Sequence, residues 1–383
     1  MSCDVARVWV DARRVAGRGG LPYPPRAMTP IRLGINGMGR IGRLALRHAL
    51  ARATAGADAA RKGPPVEVVA ANDLADSDEL AYLLTHDSVH RWQLPKVTHD
   101  HDALRVNDSK IALFKERDPS KIPWAAHGVD IVIEATGKFT NKEGMAAHRT
   151  ASDGPSHVIL AAPGKGLDKT IVVGVNEDSL DPAKDRLISN ASCTTNALTP
   201  VLATLDKTFG VRWGLVGTTH AYTNGQGIID TLSGKDLRRG RAAAVNIVPT
   251  STGAAKAIGE VLPNLRGKVD GTAVRVPVVD GSLYDVVCTL EGSPSLERVI
   301  EALREAAASQ ALQGILDVRK EALVSSDILG DSHSSIVDVD ACMGLGQLVK
   351  IVGWYDNEWG YSTRLLDLVA ILGNWIRSQQ RAV

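Results

Sequence analysis

The stretch "GINGMGRIGR", residues 34–43, decides the fold of the first half of the chain. Its glycines Gly37, Gly39 and Gly42 have the spacing G-x-G-x-x-G, directly after the apolar run "IRLGIN" and at the start of a helical pattern. Gly37 permits a tight turn, Gly39 lets a phosphate approach the backbone, and Gly42 lets the helix and the strand pack closely. The stretch therefore predicts a strand, a turn and a helix whose N-terminus binds the pyrophosphate of a dinucleotide.

Strand-like and helix-like segments alternate around this motif. "VEVVAAND" and "VDIVIEATG" are apolar strand patterns, and "GRLALRHALARAT" has helical spacing, so we predict a Rossmann-type α/β domain with a parallel sheet. Later segments, "WGLVGTTHAYT", "GTAVRVPVV" and "LYDVVCTLEG", read as longer strands with one polar face. They predict a second, α+β domain with a mixed or antiparallel sheet.

This pattern also sets the predicted domain limits. We expect the dinucleotide-binding domain at 30–192, the second domain at 193–356, and a C-terminal helix at 357–383 that returns to the first domain. Residues 1–29 are rich in Arg, Gly and Pro and are predicted to be a disordered extension, with Met28 as an alternative start. The stretch "AGADAARKGPP", residues 55–65, is interpreted as an inserted surface loop.

Composition argues against several classes of partner. The 44 basic and 43 acidic residues give a net charge of +1, so no global field attracts nucleic acid or a membrane surface. No apolar stretch reaches the roughly 18 to 20 residues that cross a bilayer. The four cysteines form no C-x-x-C pair, and "THDHD" at 98–102 reads as a solvated turn, so we expect no metal and a reducing, cytoplasmic setting.

Asp73 follows the second predicted strand in "ANDL". Its carboxylate is placed to accept hydrogen bonds from a ribose 2′-hydroxyl, and it would repel a 2′-phosphate, which favours NAD over NADP. Its separation from the glycines exceeds the usual value of about 20 residues, and the inserted loop accounts for the difference. The alternative interpretation is that Asp73 caps a turn.

Cys193 lies in "SNASCTTN", between a predicted strand and a predicted helix. A thiol at a helix N-terminus experiences the positive end of the backbone dipole, which favours the thiolate, so Cys193 is a candidate nucleophile. The alternative interpretation is a small buried apolar residue.

Several further stretches match one enzyme family. The blocks "ERDPSKIPW", "ATGKFT", "SNASCTTNALTP", "THAYTN", "DLRRGRAAAVNIVPTSTGAAKA" and "WYDNEWGYS" follow the glycine motif in this order. From about Ile31 to the final helix, the chain resembles phosphorylating glyceraldehyde-3-phosphate dehydrogenase. The resemblance implies glycolysis, NAD as the cofactor, glyceraldehyde 3-phosphate and inorganic phosphate as substrates, and a homotetramer in which the loop from about 225 to 245 reaches a neighbouring subunit.

The resemblance also implies roles for particular residues. Cys193 would form a hemithioacetal and then a thioester, with His220 as its base, although a lone His in a strand is otherwise a core residue. The implied cofactor contacts are Asn36, Gly37, Gly39, Arg40, Ile41, Gly42, Asp73, Thr136, Gly137 and Asn357. The implied phosphate-binding residues are Thr223 and Arg275 for the substrate, Ser192, Thr252 and Gly253 for the attacking ion, and Thr194 and Arg239 in support. Outside the family context, Thr252 and Gly253 read as a helix start, and Arg239 reads as a solvated surface residue.

Two departures from the family pattern leave alternatives open. Gly225 in "TNGQ" replaces an aspartate near the substrate phosphate, so we expect an altered phosphate affinity with the activity retained. The stretch "DTLSGKD" at 230–236 lacks a Leu-Pro pair that lies near the adenosine ribose in NAD-specific members of the family, so some tolerance of NADP is a second interpretation. Another phosphorylated aldehyde, such as erythrose 4-phosphate, is an alternative substrate. A non-catalytic NAD-binding scaffold is the remote alternative.

Overall fold

The computed structural model describes residues 29–54, 63–91, 96–107, 109–150, 154–233 and 236–381. The extension up to residue 28, residues 55–62 of the predicted loop and residues 234–235 of "DTLSGKD" lie outside these ranges.

Two sheets organise the described residues. The first sheet and the helices around it are β1 Ile31–Asn36, α1 Arg40–Thr54, β2 Val66–Asn72, α2 Ser77–Thr85, β3 Val97–Asp100, β4 Ala103–Val106, β5 Ser109–Phe114, β6 Ile131–Glu134, α3 Lys142–Ala146, β7 His157–Leu160, β8 Lys169–Thr170 and β9 Leu187–Ser189.

The second sheet and the helices around it follow in the chain. They are α4 Cys193–Phe209, β10 Val211–Ala221, β11 Val248–Ser251, α5 Ala254–Val261, β12 Val269–Val276, β13 Ser282–Leu290, α6 Leu296–Ala307, β14 Leu316–Arg319, β15 Ser335–Asp338, β16 Met343–Leu345, β17 Leu348–Tyr355 and α7 Trp359–Arg381.

The first sheet has the order β3-β4-β5-β2-β1-β6-β7-β9-β8. Its six inner strands from β5 to β9 are all parallel, and their order is that of a doubly wound dinucleotide-binding sheet. β1, β6 and β7 are almost entirely buried, as strands covered on both faces must be. The predicted Rossmann-type domain is confirmed, with β3 and β4 added as an antiparallel edge.

The glycine turn joins β1 to α1 at the point where the strand order reverses. Gly37 has φ +94°, a backbone conformation that L side chains rarely adopt. A Cβ on Gly42 would lie 1.9 Å from the carbonyl oxygen of Gly37, so only glycine allows this contact between helix and turn. The close packing that the spacing predicts is therefore present.

The second sheet is mixed, as predicted. β10 pairs in parallel with β12 and antiparallel with β13, which in turn pairs antiparallel with β17. Along β13, buried and half-buried residues alternate without a break, because only one face of the sheet packs on the core. This register places His220 of β10 opposite Arg275 of β12.

The C-terminal helix α7 packs against α1 of the first domain. Arg377 donates to the carbonyl of Thr29 and to the carboxylate of Asp130, and Arg52 of α1 donates to Asp367 at 2.7 Å. These contacts are what the predicted return of the helix requires, while the limits at 192/193 and 356/357 stay predictions. Among the helices of the described ranges, none has the length and apolar character needed to cross a bilayer.

Candidate active site

A cavity of about 1260 Å³ opens at the carboxyl ends of β1, β2 and β6 and extends to the start of α4. It exceeds the ~300–1,000 Å³ of ordinary ligand pockets, as an extended ligand with a second substrate requires. Of the predicted site residues, it is lined by Asn36, Gly37, Gly39, Arg40, Ile41, Asp73, Thr136, Gly137, Ser192, Cys193, His220, Thr223, Arg275 and Asn357. Gly42, Thr194, Arg239, Thr252 and Gly253 do not line it.

The glycine turn forms one wall of this cavity. A Cβ built on Gly39 has no heavy atom within 4 Å, so the space beside this backbone is open for a ligand to approach. Asp73, at the end of β2, accepts hydrogen bonds from the N–H of Met38 at 2.7 Å and of Ala75 at 3.1 Å. The carboxylate thus caps its own turn and supports the glycine loop, and it also lines the cavity.

Cys193 is the first residue of α4, and its thiol is only partly exposed. Ser192 caps the helix by accepting a hydrogen bond from Thr195 N at 3.0 Å, which fixes the direction of the first turn. The thiol therefore lies at the positive end of a 17-residue helix. This position suits a group that must carry negative charge.

His220 approaches the thiol from β10. Its Nε2 lies 3.4 Å from Cys193 Sγ, and its Nδ1 lies 2.7 Å from the carbonyl of Ala221, which can only accept. Arg275 Nη1 lies 2.9 Å from the same carbonyl and also 2.9 Å from His220 Nδ1, so the Ala221 contact fits a proton on Nδ1 and the Arg275 contact fits a proton on Nε2. The tautomer with its proton on Nδ1 is the one that can act as a base toward the thiol. In this tautomer the lone pair of Nε2 points at the thiol, which is the arrangement of a base beside a nucleophile.

Burial controls the protonation of this pair. It lowers the pKa of His220 to about 3, with help from the positive charges of Arg275 and Arg239, so the ring is neutral. Burial also raises the pKa of the Cys193 thiol, while Arg275 and hydrogen bonds with Thr194 lower it. Both shifts favour the neutral forms, so the pair is a thiol beside a neutral imidazole.

Arg275 is the cation nearest to this pair. Its Nη1 contacts the Ala221 carbonyl and His220 Nδ1, but its buried Nε has no hydrogen-bond partner among the described residues. Arg239 donates to Thr250 at 3.1 Å and lies 4.0 Å from Asp236, so its contacts are those of a partly exposed ion pair. One buried guanidinium donor thus remains for an anionic ligand.

Thr252 and Gly253 form the start of α5. Thr252 Oγ1 accepts a hydrogen bond from Ala254 N at 3.1 Å, and Gly253 is the N-terminal cap residue. These contacts fit the helix-start interpretation of both residues, and their predicted phosphate role stays a prediction.

Sequence reasoning missed residues that orient the site. Tyr355, fully buried at the end of β17, hydrogen-bonds through its hydroxyl to Thr194 at 3.0 Å and Thr218 at 2.9 Å. Ser282 accepts from Ala221 N and donates to Asn357 Oδ1 at 2.5 Å, which leaves Asn357 Nδ2 to donate to a ligand. Tyr355 and Asn357 both belong to the block "WYDNEWGYS", so this block was the sequence signal that could have pointed to Tyr355.

A buried charged cluster joins the two domains beside the cavity. His90 Nε2 lies 3.1 Å from Asp280 Oδ2 and 3.3 Å from Glu358 Oε2, and Glu358 also pairs with Arg40. Burial lowers the pKa of His90, but the two carboxylates outweigh it and raise the pKa to about 9. Burial and the charge of Asp280 raise the pKa of the adjoining Asp356.

His90, Asp280 and Asp356 are the one group in the described ranges whose spacing would allow metal binding. The distances within the group favour a different interpretation. His90 Nε2 lies 3.1 Å from a carboxylate oxygen of Asp280 and 3.3 Å from one of Glu358, so we interpret the group as an ion-paired cluster.

The His90 cluster predicts alkaline sensitivity. The pKa of His90 is about 9 in the folded chain and about 6.5 when unfolded, so its stabilisation is complete below pH 6.5 and is lost as pH rises through 9. We expect His90 to contribute about 3 kcal/mol less to the free energy of unfolding at pH 10 than at pH 6. Urea unfolding of the native chain and of His90→Gln at both pH values measures the difference.

His101→Gln is the matched control for this prediction, because His101 is exposed in the turn between β3 and β4. The charged groups that face His90 are Asp280, Asp356 and Glu358, with Arg40 and its partner Asp87 behind them. Equal pH slopes for the native chain and His90→Gln would refute the assignment.

Comparison with known proteins identifies the family. Residues 31–142 match the sequence model described as glyceraldehyde 3-phosphate dehydrogenase, NAD binding domain, and residues 192–357 match the one described as glyceraldehyde 3-phosphate dehydrogenase, C-terminal domain. A glyceraldehyde-3-phosphate dehydrogenase of Streptomyces coelicolor is 49% identical over 345 residues, which cover 90% of this chain and 99% of the relative.

Two further relatives agree. The enzyme of the same name from Geobacillus stearothermophilus is 48% identical over 90% of this chain and 98% of its own length. Glyceraldehyde-3-phosphate dehydrogenase 1 of Bacillus subtilis is 48% identical over 89% of this chain and 98% of its own length. The predicted resemblance and the predicted NAD-binding domain are confirmed: this chain belongs to the glyceraldehyde-3-phosphate dehydrogenase family.

Proposed function

We propose that this chain oxidises D-glyceraldehyde 3-phosphate with NAD and transfers the acyl group to inorganic phosphate, giving 1,3-bisphosphoglycerate. The observation that carries the proposal is the distance of 3.4 Å between Cys193 Sγ and His220 Nε2, in a cavity that continues to the glycine turn. A thiol nucleophile, a neutral base and a dinucleotide site are the parts that this chemistry needs.

Cys193 and His220 share the first half of the reaction. His220 Nε2 takes the thiol proton while Sγ bonds to the aldehyde carbon, and that proton passes to the carbonyl oxygen, which completes a hemithioacetal. The N–H of Cys193 at the start of α4 donates to the oxygen while it carries charge. The glycine turn would hold NAD, which would supply the acceptor for the hydride of the hemithioacetal carbon. His220 then removes the hydroxyl proton, and a thioester remains on Cys193.

The second half of the reaction releases the product. A phosphate oxygen bonds to the thioester carbon, the carbon–sulfur bond breaks, and the electron pair returns to Cys193 Sγ. The thiolate is again at the N-terminus of α4, where the helix dipole favours it. The covalent intermediate thus divides one difficult step into two easier ones.

The residues around the glycine turn fit NAD. We assign the open space beside Gly39 to the pyrophosphate and Asp73, at the end of β2, to a ribose hydroxyl. Asn357 keeps its amide nitrogen as a donor because Ser282 occupies its oxygen, so Nδ2 is available to orient a nicotinamide carboxamide. The remaining proposed contacts are Asn36, Gly37, Arg40, Ile41, Gly42, Thr136 and Gly137.

The two phosphate groups need separate donors. We assign the substrate phosphate to Arg275, whose buried Nε lacks a partner among the described residues, and to Thr223 on the cavity wall. We assign the attacking phosphate to Ser192, Thr252 and Gly253, with Thr194 and Arg239 in support. Gly225 offers no carboxylate to repel either phosphate.

We further propose that the chain forms a homotetramer. Among its described residues, the loop from 225 to 245 exposes five large apolar side chains, which are Ile228 at 86%, Ile229 at 75%, Leu232 at 101%, Leu237 at 86% and Val245 at 76%. Exposed apolar side chains of this kind are stabilised by burial against another protein surface, and a neighbouring copy of the chain provides that surface. We place the enzyme in the cytoplasm, because a thiol nucleophile must stay reduced.

Initial rates test the proposed reaction. Aldehyde-dependent NADH formation that needs phosphate for turnover is the expected result, with much slower formation of NADPH and a lower efficiency on erythrose 4-phosphate. Comparable NADPH formation would show that the altered 230–236 stretch relaxes the choice of cofactor. A chain that binds NAD without turnover on either aldehyde would contradict the proposal and favour the scaffold interpretation.

A further inference from the structure

Glu134 is a buried carboxylate that the proposed reaction does not use. It is the last residue of β6, and its exposed fraction is 0%. Oε1 accepts hydrogen bonds from the N–H of Thr136 at 2.8 Å and from its hydroxyl, and Oε2 accepts from Asn36 Nδ2 at 2.5 Å and lies 3.0 Å from His148 Nε2. Within the described residues, no Lys or Arg pairs with it.

On one side, a chain of amides fixes the donor that points at Glu134. The backbone of Glu116 donates to Asn72 Oδ1 at 2.8 Å and accepts from Asn72 Nδ2 at 2.9 Å, so the Asn72 amide has only one orientation. Asn72 Nδ2 also donates to Asn36 Oδ1 at 2.8 Å. Asn36 must therefore present its NH₂ group to Glu134.

On the other side, Trp124 fixes the tautomer of His148. An indole N–H can only donate, and Trp124 Nε1 donates to His148 Nδ1 at 3.2 Å. Nδ1 carries no proton, so the ring is neutral and its single proton is on Nε2, from which it donates to Glu134 at 3.0 Å. Both ends of the network thus direct N–H groups at one carboxylate.

The network acts on the backbone that lines the cofactor cavity. Thr136 N, held by Glu134, lies 2.7 Å from where a Cβ of Gly37 would be, and Ala135 N donates to the carbonyl of Asn36 at 2.7 Å. The turn after β6 therefore packs directly against the glycine turn after β1. Strand order reverses between these two strands, which is where a dinucleotide binds in such sheets.

We propose that Glu134 is a positioning residue for the cofactor, an obligate acceptor that holds the turns after β1 and β6 at the spacing that NAD requires. The inference rests on the proposed function, because it assigns these turns to NAD. Glu134 does not touch the reacting atoms, so its effect is on cofactor affinity and not on the chemical steps at Cys193.

Glu134→Gln tests the proposal with almost no change in shape. A glutamine has one acceptor oxygen and one NH₂ group. In one orientation the NH₂ group faces the N–H of Thr136, and in the other it faces the N–H groups of Asn36 and His148, so a donor faces a donor in both. We expect the Kd and the KM for NAD to rise about tenfold, with kcat and the KM for glyceraldehyde 3-phosphate within about twofold of the native values. Calorimetric titration with NAD and steady-state kinetics provide these numbers.

Asp168→Asn is the matched control. Asp168 also accepts two backbone N–H bonds, from Arg186 and Leu187 at 3.0 Å each, but it does not line the cavity. We expect the Asp168→Asn substitution to lower thermal stability and to leave the affinity for NAD unchanged. If Glu134→Gln fails to fold, two variants of His148 test the same network. His148→Leu removes the N–H that donates to Glu134 and should weaken NAD binding. His148→Gln keeps an N–H donor at this position and should bind NAD as tightly as the native chain.

The outcomes separate the two proposals. Binding of NAD to folded Glu134→Gln within twofold of the native value, or an equal change in kcat and in both KM values, would overturn the role of Glu134. Equal NAD affinity of folded His148→Leu and His148→Gln would overturn it too. If the native chain itself shows no calorimetric binding of NAD, it is the proposed function that fails.

Discussion

Replacement of Cys193 by serine is expected to lower kcat by roughly 10⁴-fold or more, because a serine hydroxyl is a far weaker nucleophile than a thiolate at neutral pH. The helix N-terminus and Arg275 can stabilise a thiolate, but an alkoxide needs a much stronger base than His220, whose pKa is about 3. Binding of NAD should stay within about twofold, because the glycine turn is separate from the thiol. Steady-state rates and NAD titration of the variant measure both effects.

Cys288→Ala is the control for this prediction. Cys288 is buried in β13, and burial raises the pKa of its thiol to about 11, so it cannot act as a nucleophile. We expect the control to lose about 1 kcal/mol of stability or somewhat more and to keep its kcat. More than about 1% of native activity in Cys193→Ser would remove Cys193 from the mechanism.

Replacement of His220 by asparagine is expected to lower kcat by about 10²- to 10⁴-fold, the range for removal of a general base. Asparagine is too short to place an acceptor where Nε2 lies, 3.4 Å from Cys193 Sγ. The first turnover should slow as well, because formation and oxidation of the hemithioacetal both need a proton to move. Stopped-flow measurement of the NADH burst, with phosphate left out, isolates these steps.

His157→Gln provides a control of similar character. His157 is also buried, and burial lowers its pKa to about 4, but it lies on β7 and hydrogen-bonds to the carbonyl of Pro182 at 2.9 Å. Its replacement should affect stability and leave the burst rate unchanged. An unchanged burst in His220→Asn would exclude His220 as the base of the first half-reaction.

Much of this protein was predictable because its signals are local. The G-x-G-x-x-G spacing predicts the turn, since a Cβ on Gly42 would overlap the carbonyl oxygen of Gly37. Continuous apolar runs predict the buried parallel strands, and the alternation in β13 predicts a sheet with one face on the core. The position of Cys193 at a helix start and the family blocks around it are equally readable from the sequence alone.

Other features depend on residues that are far apart in the chain. Asp73 supports the glycine loop through Met38, a contact across 35 positions that its own turn does not reveal. Glu134 looks like the ordinary end of a buried strand, and its role follows only when Asn36 and His148 meet at its carboxylate. His90 acquires its raised pKa from Asp280 and Glu358, which belong to the other half of the chain.

The sequence by itself determined the two kinds of sheet, the family and a candidate nucleophile, because backbone sterics, periodicity and short motifs act within a few residues. Only the tertiary structure decided which groups face the two ring nitrogens of His220, which Arg275 donor stays open and which carboxylate joins the turns after β1 and β6. Those properties depend on burial and on hydrogen-bond directions between segments, and burial and direction exist only once the chain has folded.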